Sequence, residues 1–315
     1  MMCDKKPLVV VVVGPTASGK TRLSIELATR FDGEIVSADS MQIYRNMNIG
    51  TAKPSLEERC GIRHHMMDFL DPSREYTLKQ YLEDAAKCVD EILSRGKLPI
   101  LCGGTGLYVT SFMNNLILQE ESSDPEFRAI LEAQYDTLGG DVLLSRLAEI
   151  DPELASRLFP KDKKRIIRGL EVFHNTGITQ TEQNRRSLAQ ESPYEFLCFG
   201  LTAQNRDYLY ERIDRRVELM MEEGLLQEVL DLNLPACSRT ARQAIGYRQF
   251  EPYFAGETSL DAVVSQIQKE SRNYAKRQLT WFRRDPRILW QEIDRSNFDN
   301  ILNYCAGCIA KYKEM

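Results

Sequence analysis

The sequence predicts an α/β protein: a parallel sheet flanked by helices, with a mostly helical domain inserted into it. Three observations support that class. Leu8–Val13 is an unbroken, β-branched apolar run between Pro7 and Gly14, as in a strand buried on both faces. Gly14-Pro15-Thr16-Ala17-Ser18-Gly19-Lys20-Thr21 follows at once and matches the phosphate-binding loop G-x-x-x-x-G-K-[ST]. Strand and helix signals then alternate, the rhythm of βαβ units whose strands run parallel.

Residues 20–31 carry Leu23, Leu27 and Phe31 at helical spacing, so the loop opens a helix. Residues 34–37 read as a short second strand with Asp39 just past its carboxyl end. In 78–93, Leu78, Tyr81, Leu82, Ala85, Ala86, Val89, Ile92 and Leu93 fall on one helical face, and Gly96 ends the segment. Residues 98–102 form another buried strand, running into the glycine turn Gly103-Gly104-Thr105-Gly106. From about Phe112 strand signals cease. Asp124-Pro125-Glu126 and Asp151-Pro152-Glu153 each read as a helix start, Asp as N-cap and Pro at the first helical position. Residues 112–194 are therefore taken as a helical insertion between core segments 1–111 and 195–315. Residues 195–201 return to the sheet, 206–223, 259–282 and 298–313 are helical, and Ile288-Leu289-Trp290 is a candidate last strand.

Apolar residues make up 43% and charged residues 28% of the 315, as in soluble globular proteins. The run 8–13 is too short to span a bilayer, and Met1 to Pro7 lacks a secretory-signal layout, so a cytoplasmic location is expected. Of eight cysteines, Cys3, Cys60, Cys88, Cys102, Cys198 and Cys237 are scattered singly, as reduced thiols are. Cys305 and Cys308 form a C-x-x-C with no second Cys/His pair nearby to complete a zinc site, and are assigned to a terminal helix. A net charge of −5 argues against a uniformly basic nucleic-acid coat. Two local clusters stand out: Lys161, Lys163, Lys164, Arg165 and Arg168, and Lys269, Arg272, Lys276, Arg277, Arg283, Arg284 and Arg287. Each is either a solvated helix face or a stripe for a phosphate backbone.

In the phosphate-binding loop, glycines let backbone N–H groups converge on phosphate oxygens, and the helix N-terminus adds positive potential. Lys20 adds a full charge, and the Thr21 hydroxyl is placed for Mg²⁺. The fold this implies is P-loop NTPase-like, and ATP or GTP is the first cargo to consider. An NTPase of that kind also has an apolar strand ending in Asp to organise metal and water, whereas 98–102 ends in Cys102 and glycines. That weakens hydrolysis and leaves phosphoryl transfer open. Asp39 lies on the ligand-binding edge of the sheet, as a helix cap or as a proton acceptor.

Taken together, the motifs resemble the tRNA dimethylallyltransferases, also called tRNA isopentenyltransferases, over nearly the whole chain. The resemblance rests on G-P-T-A-S-G-K-T at 14–21, D-S-M-Q-I-Y at 39–44, G-T-A-K-P at 50–54 and H-H-M-M-D at 64–68. It continues with G-G-T-G-L-Y at 103–108, R-I-I-R-G-L-E-V at 165–172, I-G-Y-R-Q at 245–249 and K-R-Q-L-T-W-F-R at 276–283. Eukaryotic relatives often carry a C-terminal zinc finger that this chain lacks, so the resemblance is to the bacterial type.

The resemblance implies transfer of a dimethylallyl group from its diphosphate to N6 of the adenosine immediately 3′ of the anticodon. The tRNAs would be those reading codons that begin with U, the product N6-isopentenyladenosine. Gly14, Thr16, Ala17, Ser18, Gly19, Lys20 and Thr21 would hold the leaving diphosphate, with Mg²⁺ on Thr21. Asp39 would be the general base, Arg216 would stabilise the diphosphate, and Thr105 would lie near the substrate adenine. Arg216 alone would otherwise read as a helix-surface ion pair. Expected tRNA contacts are Asp39, Ser40, Met41, Gln42, Thr105 and Arg128; Lys164, Arg165, Ile166, Ile167 and Arg168; Gln243, Ala244, Ile245, Gly246, Tyr247 and Arg248; and Lys276, Arg277, Gln278, Trp281 and Arg283. Tyr247 and Trp281 would either stack on bases or pack in the core. A monomer suffices. The competing classes are a small-molecule or nucleotide kinase using the same cradle, and a non-catalytic tRNA-binding module.

Overall fold

A computed structural model of the chain describes residues 6–116, 124–188 and 191–314. The Met1 to Pro7 reading and Cys3 therefore fall largely outside the described residues. Two compact units are present, 1–113 with 193–315, and 114–192.

The larger unit contains β1 (Leu8–Val13), α1 (Lys20–Phe31), β2 (Gly33–Ser37), β3 (His64–His65), α2 (Leu78–Ser94), β4 (Leu98–Gly103) and α3 (Gly106–Met113). The smaller unit contains α4 (Pro125–Leu138), α5 (Gly140–Ile150), α6 (Pro152–Ala155), α7 (Lys163–Thr176) and α8 (Gln180–Leu188). The chain then re-enters the larger unit with β5 (Glu195–Thr202), α9 (Arg206–Glu222), α10 (Leu225–Asp231), α11 (Arg239–Arg242), α12 (Glu251–Phe254), α13 (Leu260–Phe282), β6 (Ile288–Glu292) and α14 (Phe298–Glu314).

The six strands pair in the order β3-β2-β4-β1-β5-β6, every pair parallel. The apolar run of β1 lies at the centre, Val10 opposite both Ile100 and Leu197, and all six of its residues are buried. Alternate residues feed opposite faces. Val9, Val11 and Val13 pack with Tyr81, Val89, Ile92 and Phe112, and Val10 and Val12 with Leu23, Leu27, Ile301 and Ile309. α2 begins in a capping box: the Thr77 side chain accepts from Gln80 N and the Gln80 side chain accepts from Thr77 N. β3, α3 and the short helices α10, α11 and α12 are additions to the expected set. β3 pairs with β2 through Ile35 and Val36, and α3 grows directly out of the glycine turn.

The smaller unit has a core of its own around Leu131, Leu143, Leu147, Ile166, Ile167 and Leu170. Asp124 caps α4 through Phe127 N, and Asp151 caps α6 through Leu154 N, each ahead of a proline at the first turn. No helix of the described residues is long and apolar enough to cross a membrane. Cys305 and Cys308 lie on α14, with Cys305 buried in the core.

Candidate active site

The carboxyl ends of β1, β2 and β4 open on one cleft of about 300 Å³ in the larger unit. Such sheet edges are where ligands bind in open α/β folds, because crossover loops diverge there. Thr16, Lys20 and Thr21 line it from the loop after β1, Asp39 to Gln42 from the turn after β2, and Cys102 and Gly103 from β4. α9 contributes Ile213, Arg216, Val217 and Met220, and α13 contributes Ile267, Tyr274, Arg277 and Gln278.

The loop 14–19 takes its shape from backbone conformations that few residues tolerate. Gly14 has φ 155°, and a Cβ there would press on Leu201 O and Ser18 Oγ, 2.8 Å away. Gly19 caps α1 in the left-handed region, φ 90°. Ala17 shares that region at φ 62° despite its side chain. Ser18 Oγ is buried with no hydrogen-bond partner among the described residues.

Two arginines one turn apart on α9 grip this loop. Arg216 Nη1 donates to Thr16 Oγ1 at 3.1 Å, and Arg212 Nε donates to Ala17 O at 2.8 Å. The Lys20 ammonium donates to Pro15 O at 3.4 Å. Burial pulls the Lys20 ammonium below its ordinary value, with Arg216 pulling the same way and Cys102 and Asp39 opposing. Burial lowers Arg216 too, against Asp39. Two desolvated cations facing one carboxylate leave the cleft in net deficit of negative charge, the electrostatics of an anion site.

Asp39 opens the turn after β2. Its Oδ1 accepts from Met41 N at 2.9 Å and Gln42 N at 3.4 Å, so one oxygen closes the turn. Ser40 N donates to Thr105 Oγ1 at 3.0 Å, and Thr105 N donates to Ala38 O at 3.1 Å. The turn after β2 is thereby tied to the turn after β4. Gln42 Nε2 donates to Thr51 O and Ala52 O, each at 3.2 Å. Residues 14–21, 39–42, Thr105 and Arg216 surround or adjoin one cleft. Thr21 and Ser24 hydroxyls and the Asp39 carboxylate are hard oxygen donors lining it, a set that fits Mg²⁺ shared with phosphate oxygens.

The remaining expected contacts divide. Gln243, Ala244, Ile245, Gly246, Arg248 and Arg277 also line the cleft. Lys276 and Trp281 are exposed on α13 and Arg283 just past its end, Trp281 at 40% with Nε1 donating to Thr110. In the smaller unit Lys164 and Arg165 are exposed, and Arg128 and Arg168 both reach the buried Glu171 carboxylate, at 3.2 and 3.3 Å.

Three expectations are corrected. Ile166 and Ile167 are buried in the core of the smaller unit, so their side chains seat α7 and do not meet a ligand. Tyr247 is wholly buried, its hydroxyl donating to Glu228 at 2.7 Å, and offers no face for base stacking. Gln278 is 5% exposed with both ends of its amide bonded to backbone. Of the second basic cluster, Arg272 and Arg287 brace Asp214 and Asp285.

Several residues in or behind the cleft wall were given no role from sequence. Arg212 is four residues before Arg216, a spacing that puts both on one helix face. His64 lines the cleft from β3, with Nδ1 on Ile62 O at 2.9 Å; burial lowers its pKa and favours the neutral ring. Glu228 accepts from the N–H groups of Asn48, Ile49 and Gly50, fixing the loop that carries Gly50 to Ala52 into the cleft wall.

The family model described as IPP transferase matches residues 42–285, and one described as isopentenyl transferase matches 7–76. A tRNA dimethylallyltransferase of Bacillus cytotoxicus is 45% identical over 303 residues, 95% of each chain. That of Bacillus subtilis is 44% identical over 292 residues, 92% of each chain. A crystal structure of the Bacillus halodurans tRNA isopentenylpyrophosphate transferase superposes with a TM-score of 0.72 at 40% identity, covering 98% of this chain and 96% of that one. A eukaryotic dimethylallyltransferase described as acting on tRNA reaches 0.81 at 28% identity, covering 97% and 80%. With a family model spanning most of its length and relatives above 40% identity end to end, the chain belongs to the tRNA dimethylallyltransferase family of transferases.

Proposed function

We propose that the protein transfers the dimethylallyl group of dimethylallyl diphosphate to N6 of the adenosine 3′ of the anticodon in tRNAs reading codons that begin with U. The observation that carries this reading is the pairing, in one cleft, of a cationic phosphate cradle with a carboxylate and no acidic residue at the end of β4. A leaving diphosphate needs cations; an attacking amine needs a proton acceptor; neither needs a hydrolytic water.

In the reaction the donor C–O bond breaks, its electron pair leaving with the diphosphate. The adenine N6 lone pair forms the new C–N bond to the allylic carbon. The proton lost from N6 goes to the Asp39 carboxylate, which is not already spent on closing its turn, because Oδ1 alone does so. Lys20, Arg216 and the N–H groups of 14–19 stabilise charge growing on the leaving oxygens. Mg²⁺, held by Thr21 with the diphosphate oxygens, would neutralise that same charge. Met67, Val217, Met220 and Ile267 give the cleft an apolar side suited to the five-carbon tail. A stacked adenine cannot present N6, so the base must be splayed out of the anticodon loop. Arg128, Lys164, Arg165 and Arg168, with Lys276, Arg277 and Arg283, supply cations for the tRNA backbone.

Incubation with dimethylallyl diphosphate, ATP, Mg²⁺ and unmodified tRNA, followed by mass analysis of digested nucleosides and assay of remaining ATP, tests the reading. It predicts one prenylated adenosine per tRNA with release of diphosphate; consumption of ATP with no change in tRNA would favour a kinase.

A further inference from the structure

We infer that Gln278 is the positioning residue that fixes the separation between the phosphate cradle and the Asp39–Thr105 side of the cleft. The inference rests on the prenyl-transfer reading for what each side binds.

β1 and β4 are hydrogen-bonded neighbours only as far as Val13 opposite Gly103. Beyond that pair one chain turns into the cradle and the other into the turn that opens α3, and the strand ladder no longer holds them together. The Gln278 amide spans the gap. Thr16 N donates to its Oε1 at 2.9 Å, and its Nε2 donates to Gly104 O at 2.9 Å. Both partners neighbour functional groups: Thr16 Oγ1 accepts from Arg216, and Gly104 precedes Thr105, which holds Ser40 beside Asp39. Gly104 leaves the amide its space, since a Cβ there would overlap Nε2. Tyr274, one turn earlier on α13, lines the same cleft beside it.

The chemistry of the position is restrictive. One end must accept from an N–H and the other must donate to a carbonyl, over the length of a single side chain. A carboxylate offers only acceptors, and Lys or Arg only donors, so a primary amide is the side chain that satisfies both. The bond to Gly104 O is buried and the one from Thr16 N partly so, and losing them leaves backbone groups unsatisfied at the cleft. Bond formation requires the reacting atoms within about 3–3.5 Å, and a misplacement of about 1 Å costs about 10²-fold in rate. A bridge between the donor and acceptor sides therefore acts on their relative placement more than on the binding of either ligand.

Two variants of the full-length protein test this. In Gln278→Met, both bonds are lost with little change in shape. Hydrogen exchange in the free protein should speed up in the peptides covering 13–21 and 103–110 together. Affinities for inorganic pyrophosphate and for unmodified tRNA should stay within about threefold of wild type, while the single-turnover rate falls about 10²-fold. In Gln278→Glu, the carboxyl introduced can replace the amide only when protonated, accepting from Thr16 and donating to Gly104. The variant-to-wild-type rate ratio should therefore rise as pH falls from 8 to 6, by up to about tenfold per pH unit if one proton controls it. Faster exchange in only one segment or in neither overturns the inference. So does a Gln278→Met rate within about threefold of wild type, a ratio flat with pH, or a loss confined to pyrophosphate or tRNA affinity. Wild-type protein in the same assay reports separately on the proposed reaction: if it transfers nothing while both segments loosen in Gln278→Met, the reading of the ligands falls and the bridge stands.

Discussion

Replacing Asp39 by Asn separates two roles that replacing it by Ala would confound. In the structure Oδ1 alone accepts from Met41 N and Gln42 N. An asparagine keeps a carbonyl oxygen at that place, so the turn and its tie from Ser40 to Thr105 should survive. What Asn cannot do is take a proton. If the carboxylate is the base, the loss is that of general-base catalysis, about 10²–10⁴ in rate. At about 1.4 kcal/mol per decade this is about 3–5 kcal/mol of transition-state stabilisation. Asp39→Ala also removes the oxygen that closes the turn, adding a stability cost of about 0.5–2 kcal/mol by analogy with N-caps. The assay is single-turnover prenylation with enzyme in excess over tRNA, alongside tRNA binding and thermal melting. Asn should match wild type in melting and tRNA affinity yet lose at least two decades in rate. A rate within about fivefold of wild type would show that Asp39 only closes the turn, and would refute its assignment as the base.

Arg216→Gln removes a half-buried cation from Thr16 and should cost about 10²–10³ in single-turnover rate, read in the same assay; an unchanged rate would return Arg216 to a structural role. Gly103→Ala places a methyl group against the Ala38 backbone and should destabilise by about 1–3 kcal/mol in a denaturant titration. Burial would raise the Glu34 carboxyl, but hydrogen bonds from His65 and Arg95 outweigh it and hold the group below its ordinary value. A depressed carboxyl stabilises the fold above its unfolded value of about 4.3, and that contribution fades as pH falls through the lower folded value. The melting-temperature advantage of wild type over Glu34→Gln should thus be full above about pH 5 and shrink steadily below about pH 4. Neutralising Lys164 and Arg168 together should flatten the log–log salt dependence of tRNA binding, by a little under one unit of slope for each phosphate no longer neutralised.

What the sequence made visible depended on how strongly each element repeats its own pattern. β1 was plain because a central parallel strand is apolar on both faces, and α2 because its polar side is intact. α3 was hidden for the opposite reason: Tyr108, Val109, Ser111, Phe112 and Met113 are all buried, and a helix enclosed on most sides shows no periodic polar face. β3 is two residues long, below any period that alternation can reveal. Strand order was also out of reach, since β4 lies between β1 and β2 because of where the crossover helices pack.

Site residues followed the same logic. The cradle was legible because glycines and Lys20 must follow one another in a fixed local order. Asp39 stood out by its place just past a strand end, but Arg216 and Thr105 were reached through resemblance, since their meeting depends on elements far apart in sequence. Gln278 was the reverse case. Its motif marked it as a tRNA contact, yet its surroundings show an amide consumed by two backbone partners far away in sequence. Tyr247 and Ile166–Ile167 were misread similarly, because a motif does not distinguish the side chains that meet a ligand from those that seat the motif.

The proposed chemistry requires a phosphate cradle and a carboxylate to cooperate across one cleft in moving an allyl group onto an adenine. Its sharpest test is the mass of adenosine from unmodified tRNA incubated with the protein, dimethylallyl diphosphate and Mg²⁺, with diphosphate counted in parallel. Each prenylated adenosine should appear with one diphosphate released, and Asp39→Asn should suppress both together. Diphosphate released without prenylated adenosine, or prenylation undiminished in Asp39→Asn, would overturn that cooperation.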